Sequence, residues 1–296
     1  MLFGSCLPAR WLAPLWGRYV EVMRIVVTND DGIDSVGLHQ LAAAMLPFGD
    51  VVIVAPDSEY SGAGAAVGAL HLIRPEVHKV PSPVAGVEAW SVAGPPALCV
   101  MFARLGVFGG APDLVVSGIN PGANVGRAVY HSGTIGAALT ARSGRISGIA
   151  VSQDVAGGGI DGQSMYEMLA LQKWESAAAV AALVVEGFLA NPPAAPVVLN
   201  VNVPNLDLAD IKGWRYTEVA AIPPRTLTSA TLEPKDGHAD AYRVTMHYGE
   251  AVVLPIETDG GAVTAGFVSI CALSKLSAEP LDAGLAAQLD LSIPNR

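Results

Sequence analysis

The stretch Met23-Arg-Ile-Val-Val-Thr-Asn-Asp-Asp-Gly32, followed by the run Val36 to Leu46 and then Val51-Val-Ile-Val-Ala55, decides the fold. Arg24 to Thr28 is a short β-branched run without polar alternation, the pattern of a strand buried on both faces. Val36 to Leu46 carries apolar residues at helical spacing and is closed by Pro47 and Gly49. The same alternation continues through Val87 to Val92, a helix from Pro96 to Leu105, and Asp113 to Ser117. A glycine-rich loop from Gly118 to Gly133 then leads into a helix from Thr134. Ile149 to Ser152, a long Ala-rich helix from Met165 to Leu189, and Val197 to Val201 complete the series. Strands and helices in this order predict parallel β-α units and an open, mainly parallel α/β sheet.

Beyond Pro204 the texture changes. Trp214 to Tyr248 is polar and β-leaning, with Pro223-Pro224 and Asp236-Gly237 as turn signals. Val268 to Leu273 reads as a later strand, and Ala283 to Leu289 as a short closing helix. Residues 23–205 are expected to form the core, and residues 206–296 a C-terminal β-rich arm that completes the same domain and mediates oligomerisation. An arm this long is unusual inside a compact domain, so exchange between subunits is expected. Met1 to Val22 carries Arg10 and Arg18 amid Leu, Trp and Pro, with no clean apolar core or Ala-x-Ala cleavage site. It reads as an extension outside the fold, with a signal peptide as the alternative.

Acidic residues outnumber basic ones 27 to 17, a formal charge of −10 that repels a long polyanion. No nucleic-acid polymer is expected as partner, because no basic run offsets that field. A single nucleotide is compatible, since charges beyond about 8 Å are screened at physiological salt and one local cation dominates. Cys6, Cys99 and Cys271 are odd in number and far apart, forming neither a disulfide framework nor a CxxC pair. A reducing, cytoplasmic location is expected. The most apolar stretch, Ala177 to Val185, is too short to span a bilayer, so no membrane association is expected.

In an open α/β sheet, ligands bind beyond the carboxyl ends of the strands, and three polar clusters fall there. The first is Thr28-Asn-Asp-Asp-Gly32. Adjacent carboxylates at a strand-to-loop turn can converge, and converged carboxylates repel unless a proton or cation lies between them. Asp30 and Asp31 therefore suit a hard divalent cation, Mg²⁺ or Mn²⁺, although the tripeptide alone also reads as a solvated turn. The second cluster, Pro56 to Gly64 with Ser58 and Ser61, reads by itself as a flexible loop. The third runs from Ser117-Gly-Ile-Asn-Pro-Gly-Ala-Asn-Val-Gly126 to His131-Ser-Gly-Thr134 at a helix start. Backbone N–H groups there favour an anion, with Ser132 and Thr134 adding hydroxyls. Ser132 as an ordinary N-cap is compatible with that role. His131 is a candidate proton donor, with an exposed structural role as the alternative. The chain has no GxxxxGK[ST], no strand-linked GxGxxG, no HExxH and no GxSxG, which argues against P-loop NTPases, dinucleotide binders, zinc proteases and α/β-hydrolases.

Taken together, the clusters resemble the SurE (survival protein E) family of 5′-nucleotidases. The resemblance rests on Arg24 to Gly32, Val54-Ala-Pro56 with Ser61-Gly62, Ser117 to Gly126, and Ser132-Gly-Thr134. Asn200-Val-Asn-Val-Pro204, Ile211-Lys-Gly213 and Gly266-Phe-Val-Ser-Ile270 extend it, so that it covers about Met23 to Leu273. It implies one divalent metal per subunit held by Asp30, Asp31, Ser61 and Asn120, and hydrolysis of nucleoside 5′-monophosphates in the cytoplasm. It also implies a Rossmann-like core whose C-terminal segment swaps within a homodimer or homotetramer. Asp30 and Asp31 are then the catalytic residues, with water as nucleophile. Asn124, Ser132, Gly133 and Thr134 are expected to hold phosphate oxygens. The chain departs from the family pattern at Gly94-Pro-Pro-Ala-Leu-Cys99, where members commonly read Gly-Thr-Pro-x-Asp-Cys, and at Tyr60, where many carry a basic residue. Two other readings remain at this level: a phosphatase with Asp30 as covalent nucleophile, and a nucleotide- or metal-sensing module without turnover.

Overall fold

A computed structural model of the chain describes residues 22–68, 70, 72, 74–155, 169–273, 280, 282–285 and 288. The strands are β1 (Arg24–Thr28), β2 (Asp50–Pro56), β3 (Val77–Val80), β4 (Glu88–Val92), β5 (Leu114–Pro121), β6 (Ser147–Gln153) and β7 (Val198–Val203). They are followed by β8 (Trp214–Tyr216), β9 (Leu227–Pro234), β10 (Tyr242–Tyr248) and β11 (Val268–Leu273). The helices are α1 (Val36–Met45), α2 (Pro96–Arg104), α3 (Gly133–Ser143), α4 (Trp174–Ala190) and α5 (Asp259–Thr264). Among the described residues one nine-stranded sheet has the order β3-β4-β2-β1-β5-β6-β7-β11-β8. It is mainly parallel; only β3 against β4 and β11 against β7 run antiparallel.

The near-continuous apolar strands follow from burial on both faces. Ile25, Val27, Ile53, Leu114, Val116 and Val151 pack under α1 and α4. Val26, Val52, Val54 and Val115 alternate with them and pack under α2 and α3. Each strand thus serves two cores through its period of two. β1 lies between β2 and β5, so the chain turns one way into β2 and later returns to the other side of β1. This reversal opens a crevice at the carboxyl ends of β1 and β5, where the polar clusters fall.

Several expectations are corrected. β5 does not end at Ser117 but continues through Gly118 to Pro121, with a register shift between Ser117 and Asn120 against β6. The long helix from Met165 is not continuous: Leu169 and Ala170 are helical, Leu171 to Lys173 are not, and α4 begins at Trp174. The start of that expected helix lies outside the described residues. The arm is shorter than Trp214 to Tyr248, because β8 pairs with β11 inside the main sheet. Its remainder, β9 and β10, is an antiparallel hairpin forming a sheet of its own. Leu232, Tyr242, Val244 and Met246 on the hairpin are all exposed. β3 and α5 were not anticipated. The expected extension lies outside the described residues except for Val22, and the closing helix is described only at residues 283–285 and 288. Among the described residues no helix is long and apolar enough to cross a membrane.

Candidate active site

β1 delivers Thr28, Asn29 and Asp30 to the crevice in a buried state. The chain then turns at Gly32, whose φ of +100° is rarely adopted by residues with a side chain. The turn is fixed on all sides. Asn29 Nδ2 donates to the Gly32 carbonyl at 3.0 Å, Ile33 N–H to the Pro56 carbonyl at 2.8 Å, and His39 Nε2 lies 2.8 Å from the Ile33 carbonyl. The aspartates therefore stand on a rigid strand end.

Asp30 faces the first turn of α3. Its Oδ2 accepts from Gly133 N–H at 3.0 Å, and its Oδ1 accepts from Thr134 Oγ1–H at 2.5 Å. Ser132 is the N-cap, its Oγ accepting from Ile135 N–H at 3.2 Å, as a serine at that position predicts. Burial pushes the Asp30 carboxyl above the usual range, and the Thr134 hydroxyl and the helix-start N–H groups oppose this.

Asp31 is pushed up to about 7, first by burial and then by the negative charges of Asp30 and Glu59. Its buried Oδ2 has no hydrogen-bond partner. A partly buried carboxylate beside another, with one oxygen unanswered, has the chemistry to take up a cation. Asn120 on β5 and Ser61 on the loop after β2, the two strands that flank β1, carry further hard oxygen donors. Asn120 Nδ2 donates to the Gly122 carbonyl at 2.7 Å, which leaves its Oδ1 without a bond among the described residues. Ser61 Oγ–H donates to Glu59 Oε1 at 2.8 Å, which leaves the hydroxyl lone pairs free. Among the described residues no three His, Cys, Asp or Glu side chains gather as a metal site. The donors a cation would meet here are carboxylate, hydroxyl and amide oxygens, a set whose chemistry suits Mg²⁺ or Mn²⁺.

The Ser61 loop is held against the site. Tyr60 N–H donates to the Asp30 carbonyl at 2.7 Å, and Gly64 N–H to the His131 carbonyl at 2.9 Å. α3 packs so closely on this loop that a Cβ at Gly136 would lie 2.0 Å from the Gly64 carbonyl oxygen. Tyr60 thus contributes through its backbone, where a basic side chain was noted as missing. The other departure has a packing reason: Pro95 and Pro96 start α2, and Ala97, Leu98 and Cys99 are buried in the core.

Gly133 N–H and Thr134 Oγ1–H both donate to Asp30. Ser132 retains a hydroxyl hydrogen free to donate. His131 is exposed beside it. Asn124 stands apart, its Nδ2 donating to Ser152 Oγ at 2.9 Å within a buried amide network with Asn200 and Asn202. Sequence reasoning missed Glu59, which bonds Ser61 and raises Asp31; its place three residues after Pro56 gave no signal. It also missed the function of Asn200 and Asn202, whose alternation with valines in a buried strand was visible.

Similarity to known proteins agrees with this geometry. The family described as "Survival protein SurE" matches residues 25–223. A protein named 5′-nucleotidase SurE from Acinetobacter baylyi is 36% identical over 260 residues, covering 84% of this chain and 92% of that protein. Another of the same name from Aeromonas hydrophila is 33% identical over 280 residues, covering 91% and 99%. The crystal structure of the SurE protein from Aquifex aeolicus superposes with a TM-score of 0.69 at 27% identity, covering 91% of this chain and 98% of that one. The chain belongs to the SurE family.

Proposed function

We propose that the protein is a metal-dependent 5′-nucleotidase that hydrolyses nucleoside 5′-monophosphates to nucleoside and phosphate. The observation that carries this reading is the adjacent pair Asp30–Asp31 at the switch point of the sheet, Asp30 buried against the start of α3 and Asp31 half-buried beside it, in a chain whose relatives are named 5′-nucleotidases. One divalent cation is held by Asp30, Asp31, Ser61 and Asn120. When bound it supplies charge stabilisation for the phosphoryl group and activates water, the largest levers for a phosphate monoester.

The chain's own residues do the rest. Thr134 and the α3 start orient Asp30 and oppose the effect of burial on its charged form. Ser132 donates its hydroxyl hydrogen to a phosphate oxygen arriving at the helix N-terminus, whose dipole favours the anion. Asp31, a ligand of that cation, is suited to align the attacking water. The free, buried thiols of Cys99 and Cys271 fit a cytoplasmic location. The exposed β9–β10 hairpin fits a homodimer or homotetramer joined by exchange of the C-terminal arm.

The test is phosphate release from a panel of nucleoside 5′-monophosphates, 3′-monophosphates and simple sugar phosphates, with a rapid acid quench alongside. The reading predicts turnover of 5′-monophosphates and no acid-stable phosphoprotein. Binding without turnover would make the protein a sensor, and trapped phosphoenzyme would move the chemistry to a carboxylate nucleophile.

A further inference from the structure

β7 is an interior strand of the sheet, covered on both faces, yet it carries two fully buried asparagines in the run Val198-Leu-Asn-Val-Asn-Val203. Val201 and Val203 face the core under α1 and α4, and Asn200 and Asn202 alternate onto the α3 face. A strand buried this way is ordinarily apolar throughout, and a buried amide is tolerated only where its polar atoms are answered. Both answer the backbone of a single residue. Asn202 Oδ1 accepts from Asn124 N–H at 2.7 Å, and Asn202 Nδ2 donates to the Asn124 carbonyl at 3.3 Å. Asn200 Nδ2 donates to the same carbonyl at 2.9 Å, while its buried Oδ1 accepts nothing. Asn200 is thus held for its donor alone. The Asn124 side chain is tied to Ser152 Oγ on β6, the cross-strand neighbour of Asn202.

The loop held in this way runs from Asn120 at the end of β5 toward the start of α3. It is anchored at Gly122, whose N–H donates to the Gln153 carbonyl at 2.7 Å. It is anchored again at Gly126, whose N–H donates at 2.9 Å to the fully buried Asp259. Only a side chain with a donor and an acceptor on one carbon, as in an amide, can close on both the N–H and the carbonyl of one residue. Asp lacks the donor, and the apolar residues usual in such a strand lack both.

We propose that Asn202, with Asn200, is a positioning residue of the reaction: the pair clamps the Asn124 backbone and so sets the path of the loop between Asn120 and α3. The clamp deepens the nucleotidase reading and rests on it for its kinetic consequence. Misplacing a reacting group by about 1 Å costs on the order of a hundredfold in rate.

The experiment compares Asn202→Ala and Asn200→Ala with Val201→Ala, which perturbs the same strand on the opposite face. Hydrogen exchange of peptides covering residues 119–127 is measured on each metal-free protein, and kcat and KM for a nucleoside 5′-monophosphate are measured well below Tm. Asn202→Ala is expected to speed exchange in that segment at least tenfold and to lower kcat at least tenfold, with KM changed less than threefold. Val201→Ala is expected to leave both unchanged at an equal loss of Tm. Unchanged exchange at residues 119–127 would overturn the clamp, as would kcat within twofold of the parent, or an equal kcat loss in Val201→Ala. Should Asn202→Ala fail to fold, Asn200→Ala, which removes one bond, carries the same test with the same two readouts. Should the parent hydrolyse no nucleotide, the nucleotidase reading falls, and the exchange measurement still decides the clamp.

Discussion

Asp31→Asn separates the electrostatics of the site from its shape. Asp31 in the metal-free fold is raised from 3.8 to about 7. At about 1.36 kcal/mol per pKa unit, the charged form above pH 7 costs the fold on the order of 4 kcal/mol, as an upper bound. The sign follows from proton counting. Between about pH 4 and 7 the folded chain binds a proton that the unfolded chain has released, so stability falls as pH rises through this window and the full penalty stands above it. Asparagine keeps the shape and removes the charge. In EDTA at pH 8, Asp31→Asn is therefore expected to melt higher than the parent, by roughly 5–15 °C for a chain of this size. Asp30 and Asp154 are also raised by burial, so some pH slope persists in the mutant, and the difference between the two proteins isolates Asp31. With Mg²⁺ or Mn²⁺ the order inverts in function: phosphate release falls by orders of magnitude, since each factor of ten needs only about 1.4 kcal/mol. The assay is a pair of melting curves at pH 5 and 8 in EDTA, with phosphate release measured alongside. A mutant that melts below the parent at pH 8, or one with near-normal turnover, would refute this account of Asp31.

Thr134→Val removes the hydroxyl that donates to Asp30 Oδ1 at 2.5 Å. A hydrogen bond to a charged group contributes about 1.5–3 kcal/mol, so both Tm above pH 7 and kcat should fall, and an unchanged kcat would detach Thr134 from the site. Gly136→Ala would place a methyl group 2.0 Å from the Gly64 carbonyl oxygen. The Ser61 loop must then move, with an expected loss of about 1–3 kcal/mol in denaturant unfolding and a drop in turnover. The β9–β10 hairpin should join subunits: sedimentation is expected to show a dimer or tetramer for the parent and a smaller species when residues 227–248 are replaced by a short turn. A parent that sediments as a monomer at micromolar concentration would contradict that reading.

Much of the fold was legible because buried parallel strands write themselves as continuous β-branched runs. β1, β2 and β11 needed only Arg24 to Thr28, Val51 to Ala55 and Val268 to Leu273. The Asp30–Asp31 turn and the Ser132 cap were readable from local signals: Gly32 marks the turn, and Ser132 stands three residues before its partner Ile135. What was not readable depends on distant partners. β5 runs through Gly118 because Asn120 and Pro121 find β6, which the glycine concealed. β3 is a short edge strand with an exposed centre, and its pairing to β4 leaves little apolar pattern. Asp259 looks like an ordinary acidic residue in a helix's first turn, yet it is fully buried and accepts from Gly126 and Ala220. Asn124, expected among the phosphate-holding residues, turned out to be gripped by β7, a strand 76 residues downstream. Gly133 and Thr134 were singled out from the helix start they occupy, but only the folded structure shows that Asp30, 103 residues away from Gly133, takes their donors.

The most direct test of the central claim is phosphate release from a nucleoside 5′-monophosphate by protein stripped with EDTA, before and after stoichiometric Mg²⁺ or Mn²⁺ is returned. The account predicts negligible release from the stripped protein, recovery saturating near one cation per subunit, and no recovery in the Asp30→Asn variant at the same metal concentration. Full activity in EDTA, or equal recovery in folded Asp30→Asn, would contradict it.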